Sequence, residues 1–166
     1  MTTTDPAWEL RVDEVWRAID RLEPEEFCAC IEALVSELPA HSPIGLFERG
    51  AAQDSTGRSH LAVPLYRAAL EGGLTGLRRR RAMIQMASSL RNVGDPQHAT
   101  DLLTKELNEP SDELDGAVRA FLALALVDLG REREAVAVSL TALSRYLPRY
   151  NRSLARYAED LLVKVL

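Results

Sequence analysis

The chain has 166 residues, enough for one domain or one short solenoid with its own core. With 46% apolar and 27% charged residues the whole length can be globular, and its abundant Leu, Ala, Arg and Glu are good helix formers. The net charge of −5 argues against nonspecific nucleic-acid binding, which needs many uncompensated cations, and the longest apolar run, Ala120–Val127, is far too short to span a membrane.

Residues 1–10, MTTTDPAWEL, lack a basic start and an apolar run, so no secretory signal is expected and the cytoplasm is the default location. Cys28 and Cys30 give no disulfide framework. The charge is uneven. Residues 1–56 carry a net −8, residues 57–110 a net +3, and residues 111–166 are balanced. The acidic end and basic middle can therefore complement each other, within the chain or between copies.

Thr4-Asp5-Pro6 reads as a helix start, with Asp5 as cap and Pro6 at the first helical position. Trp8, Val12, Val15, Trp16, Ile19 and Leu22 follow at helical spacing. Glu23-Pro24 opens a second helix, whose Phe27, Cys28, Ile31, Leu34, Val35 and Leu38 share one face before Pro39 ends it. Residues 6–38 are predicted to form an αα-hairpin that caps the array beyond them.

From residue 42 onward the signal is repetition. Gly57, Gly94 and Gly130 are spaced 37 and 36 apart. Five residues after each is an alanine (Ala62, Ala99, Ala135), and seven before each is a small residue (Gly50, Ala87, Ala123). Four before come Gln53, Leu90 and Leu126; thirteen after come Leu70, Leu107 and Leu143. This register describes a helix, a glycine turn and a second helix, repeated. The glycine supplies a left-handed helix end, the small residues let two backbones approach, and the leucines fill the space between pairs.

The pattern resembles the 34-residue tetratricopeptide repeat. Leu46, Gly50, Gln53, Gly57, Ala62, Tyr66 and Ala69 fall on its marked positions. Met83, Ala87, Leu90, Gly94 and Ala99 do so in a second copy, and Leu122, Ala123, Leu126, Gly130, Ala135 and Ala142 in a third. The stretches VPLYRAAL, SSLRNVGD and RAFLALALVDLGREREAV look like a small bacterial subfamily of short single-domain proteins. There are departures: the period is longer, Glu106 breaks the small-residue rule, and Pro64 inside its helix predicts a kink or a late helix start.

The resemblance implies an all-α superhelix of about nine helices in antiparallel pairs, a right-handed solenoid forming one domain over residues 1–166. Three repeats would occupy residues 43–147, and residues 148–166 a capping helix with Tyr150, Leu154, Tyr157, Leu161 and Val165 on its apolar side. It also implies a non-catalytic adaptor or scaffold that binds a protein or peptide on its concave face. Self-association through the groove, giving a homodimer, is the alternative. No cofactor or metal is expected, and neither nucleic acid nor a membrane is an expected partner.

Chemistry-bearing residues fit that picture. His41, His60 and His98 share no face with metal-ligating neighbours, and Cys28-Ala29-Cys30 lacks redox or metal spacing, so buried inert thiols are expected. Gly72-Gly73 and Gly76 make a turn, without the lysine of a phosphate loop. Glu23, Glu25 and Glu26 suit a helix start. Arg78–Arg81 fan around a helix, and pairing with the acidic amino-terminal region is expected. The partner-binding candidates are Phe47 and the α-helical set Arg81, Ile84, Gln85, Ser88, Arg91 and Asn92, for an acidic or carboxylate group, with Ala120, Leu124 and Val127 as the floor of an apolar groove. The clamp by which some family members grip chaperone tails is not recognisable, since Phe47, Glu48, Ala51, Ala120 and Leu124 occupy its positions. Arg149, Arg152 and Arg156 stripe the last helix beside Tyr146, Tyr150 and Tyr157, where the expected arrangement is tyrosines inside and arginines in water.

Overall fold

A computed structural model of the chain describes residues 4–163. Among them are nine α-helices and no strand. They are α1 (Pro6–Arg17), α2 (Pro24–Val35), α3 (Pro43–Ser55), α4 (Ser59–Glu71), α5 (Gly76–Asn92), α6 (Pro96–Glu106), α7 (Asp115–Asp128), α8 (Glu132–Ser144) and α9 (Asn151–Val163). Four helices place proline in their first turn, where its missing N–H is one that no helix could use. Asp5, Ser42 and Asp95 cap three of them by accepting a backbone N–H.

The three register glycines occupy equivalent bends. Gly57 (φ 79°), Gly94 (φ 89°) and Gly130 (φ 70°) are all left-handed. At each, the next residue donates its N–H to the carbonyl four residues before the glycine: Arg58 to Gln53 at 2.8 Å, Asp95 to Leu90 at 2.9 Å and Arg131 to Leu126 at 2.9 Å. This is the double-bonded helix end that satisfies carbonyls left over by the last turn. It assigns a job to the position four before each glycine that its side chain alone does not reveal.

The Cα framework divides into two compact units on either side of Gln85. In the first, α1, α2, α3 and α4 pack in chain order. Phe27, Ile31, Val35 and Ala52 form its core, with Trp16 edge-on to Phe27 at 5.0 Å between ring centres. The indole of Trp8 donates to the Leu34 carbonyl at 2.8 Å, which joins α1 to the end of α2. The small residue of the repeat has a visible reason here. A β-carbon on Gly50 would sit 3.0 Å from the ring of the fully buried Tyr66.

In the second unit α6, α7, α8 and α9 pack in chain order. Ala99, Ala125, Ala135, Ala137 and Ala158 are buried at the crossings, with Leu103, Val118, Leu122 and Leu126 between them. Successive antiparallel packing of this kind is how helical-repeat proteins are built. Glu106 is buried as deeply as Ala69, its counterpart in the first copy.

Two local expectations change. α4 starts at Ser59 and runs through Pro64, so the helix does not begin late. The carbonyl that proline leaves unbonded belongs to His60, which is exposed, so water can satisfy it. At the carboxyl end, Ala158 is the buried anchor of α9, whereas Tyr150 and Tyr157 face solvent rather than the core. Val165, expected on the same face, lies outside the described residues.

Gly50→Ala should destabilise the protein by about 1–3 kcal/mol, because the Tyr66 ring packed on Phe47 has little freedom to withdraw. Gly94→Ala, where no neighbour would be touched, should cost about 1–2 kcal/mol from the left-handed backbone alone. Urea unfolding of both variants checks this; a neutral Gly50→Ala would show that the helix pair can relax.

Candidate partner-binding site

The arginine run at the start of α5 divides its labour as the fan geometry requires. The Arg78 guanidinium donates to Glu48 at 3.1 Å and to both oxygens of Glu9, at 3.0 Å and 2.5 Å. The other Glu48 oxygen accepts from the Trp16 indole at 3.0 Å. Glu48 is 2% exposed, so a carboxylate is held inside the fold by donors from α1 and α5. Burial favours protonation of Glu9, but the hydrogen bonds from Arg78 and Thr4 and the Arg78 charge outweigh it and hold that carboxyl below the ordinary range.

Other arginines fasten the acidic hairpin. Arg49 pairs with Glu32 through two bonds of 2.7 and 2.6 Å, Arg58 with Glu25 at 2.5 Å, and Arg11 with Glu37 within the hairpin. Arg58 and Arg78 thus bring charge from the basic middle to the acidic end inside the first unit. Glu25 serves as an ion-pair partner as well as a helix-start acid. Cys28 and Cys30 are free and half-buried, not fully enclosed as expected. Cys28 points at α3, with its sulfur 3.8 Å from the Ala52 carbonyl.

The sequence-nominated residues fall into three groups. Phe47 and Ile84 are buried and support the surface from beneath. Arg91 is ion-paired with Asp128, and Asn92 lies exposed at the end of α5. Arg81, Gln85 and Ser88 are half-buried along α5. The Arg81 guanidinium lies over the Phe47 ring, 5.2 Å from its centre, and carries no ion pair among the described residues. It edges a cleft of about 360 Å³ walled by Ile44, Leu74 and Leu77.

Ala120, Leu124 and Val127 do come together. They line one wall of an apolar groove of about 580 Å³, and Val136, Ser139 and Leu140 of α8 line the other. Leu124, Val127 and Val136 are each close to half exposed. Among the described residues α9 leans on α8 and makes no comparable contact with α7, and none of them from α9 lines this groove. The α8 wall is not among the sequence candidates, because the repeat register gives Leu143 to the space between pairs; the spacing of Val136, Ser139, Leu140 and Leu143 holds the signal.

Residues 43–161 match the sequence profile described as Tetratrico peptide repeat. The chain belongs to the tetratrico peptide repeat family. No curated protein and no solved structure matches it. In this repeat protein the small-residue crossings, the glycine bends and the open α7–α8 groove all fall within the matched region. Among its described residues no three His, Cys, Asp or Glu side chains converge as a metal site, and no helix is long and apolar enough to cross a membrane.

Because the Glu9 carboxyl is depressed in the folded protein, its stabilising contribution is complete above the ordinary carboxylate range and disappears as pH falls through the folded value. Thermal melts from about pH 6 down to pH 3 should therefore show a steeper loss of stability for the natural protein than for Glu9→Gln. Equal slopes would mean that the Glu9–Arg78 pair contributes no acid sensitivity.

Proposed function

We propose that the chain is a non-catalytic protein-binding module whose α7–α8 groove receives the apolar face of an amphipathic helix from a partner protein. The observation that carries this is the uncovered groove itself, lined by Leu124, Val127 and Val136 over a floor of Ala120 and Ala123. Small floor residues allow a helix to approach closely, and a contiguous apolar face is seldom left to water without a use. Glu132, exposed at one end of the groove, has no ion pair among the described residues and suits a basic residue on the incoming helix. Arg81 is proposed as a separate contact, offering its guanidinium to a carboxylate at the cleft beside Leu77.

A second reading has a specific observation behind it. The half-exposed Leu124, Val127 and Val136 make the groove an apolar patch. A two-fold axis across it would set that patch against its own copy, which is the self-complementarity that such an interface needs. The homodimer is therefore the alternative occupant.

Capture of partners from a native lysate by the natural protein, by Leu124→Glu and by Arg81→Glu, with mass-spectrometric identification, tests both surfaces. Leu124→Glu should lose at least one partner, by about tenfold or more if the leucine is a buried anchor. Identical partner sets for all three proteins would end the proposal. Light scattering separates the second reading: a firm dimer that becomes a monomer on Leu124→Glu assigns the groove to a second copy.

A further inference from the structure

The carboxyl-terminal corner, where α8 passes into α9, departs from what overall charge implies. Between residues 145 and 158 the chain carries four arginines and no acid; Glu159 and Asp160 follow. Arg145 is engaged with Asp115 at 3.1 Å. Arg149, Arg152 and Arg156 have no ion pair among the described residues, whereas Arg11, Arg49, Arg58, Arg78, Arg91 and Arg131 each hold a carboxylate. All three unpaired arginines are exposed.

Interleaved with them are three tyrosines that do not enter the core. Tyr146 is 72% exposed, Tyr150 77% and Tyr157 55%. One exposed ring needs no explanation, but three in twelve residues, beside unpaired cations, make a surface with both charge and flat π faces. Arg156 already lies over the Tyr157 ring, 5.5 Å from its centre. A shallow basin of about 510 Å³ is bounded by Tyr150, Asn151, Arg152, Ser153 and Arg156, with no acidic side chain on its wall.

We propose that this corner binds single-stranded RNA or DNA, with Arg149, Arg152 and Arg156 on phosphates and Tyr150 and Tyr157 stacked on bases. An acidic peptide would use the cations but would leave the rings idle. A single strand uses both, because every base presents a π face and every linkage a negative charge. The net charge of the whole chain is no obstacle, since much of its excess acid lies in residues 1–56, where Glu9, Glu25, Glu32 and Glu37 are held by arginines. The same imbalance that disfavours nonspecific coating of duplexes leaves a local cationic platform intact. This site is separate from the α7–α8 groove, so either can fail without the other.

Fluorescence anisotropy with labelled oligo-uridine and oligo-thymidine of about 12 nucleotides tests the proposal on the full chain. Three phosphate contacts predict that affinity falls roughly 20-fold between about 50 and 200 mM salt. Arg152→Glu with Arg156→Glu should lose roughly tenfold or more and flatten that salt dependence. Tyr150→Leu with Tyr157→Leu should lose roughly fivefold or more per ring while keeping the salt dependence. All four side chains are exposed, so far-ultraviolet circular dichroism should be unchanged. Absence of binding would overturn the proposal, as would a tyrosine pair variant that binds like the natural protein. Displacement of the oligonucleotide by an equal concentration of oligo-glutamate of the same length would also overturn it, and would assign the corner to an acidic protein segment.

Discussion

The seating of small residues where the two helices of a pair meet governs the rest of this structure. Gly50 on α3 leaves the space that the Tyr66 ring of α4 fills, and Ala123 on α7 and Ala135 on α8 are both buried. A left-handed glycine then turns the chain tightly enough for the second helix to return along the first. Together these settle which faces remain outward. Leu124 and Val127 are left on the rim because Val118, Leu122 and Leu126 have taken the inward side of the same helix. The groove is thus a by-product of how the pair is closed.

Electrostatics follows a second pattern, in which Arg11, Arg49, Arg58, Arg78, Arg91 and Arg131 each hold a carboxylate. Arg78 is the strongest case, because its guanidinium serves two carboxylates and one of them, Glu48, is almost wholly enclosed. Removing either partner would strand a charge out of water, which is costlier than losing a surface pair. Arg49 and Arg58 secure the acidic hairpin more loosely, since their partners are largely exposed. Surface pairs of that kind add little stability but restrict which charges remain available. Arg81 on its Phe47 shelf and Arg152 and Arg156 of α9 are among the cations left without a carboxylate among the described residues.

The sequence discloses the pairs because periodicity and punctuation are local. Gly57, Gly94 and Gly130 could be found by spacing alone, and all three turn out left-handed with the same bonding across the bend. The pairing of the basic run with the acidic end was also legible, from charge counts. Side-chain direction near the carboxyl end was not. An amphipathic pattern ranks Tyr150 and Tyr157 as apolar, but a phenol tolerates either environment, and the small Ala158 proved to be the contact with α8. The burial of Phe47 and Ile84 is hidden from the sequence for a related reason. A repeat position says which face a residue shares, not how far neighbouring side chains close over it, and Arg81 covers Phe47.

The groove stays open because of where α9 rests. It packs on α8 through Ala158, and Arg133 donates to the Leu161 carbonyl at 2.7 Å, which holds the two helices side by side. Among the described residues α9 makes no comparable contact with α7, and Leu124, Val127 and Val136 keep about half their surface in water. Completing the burial of each such side chain is favourable by about 1 kcal/mol, half the value for a fully exposed residue. Three of them would supply about 3 kcal/mol before any polar contact is counted, which is modest against the entropy lost on association. Apolar area alone therefore gives a weak and unselective groove. The charge at its edge, Glu132, which has no ion pair among the described residues, is the remaining source of selectivity for any partner seated there.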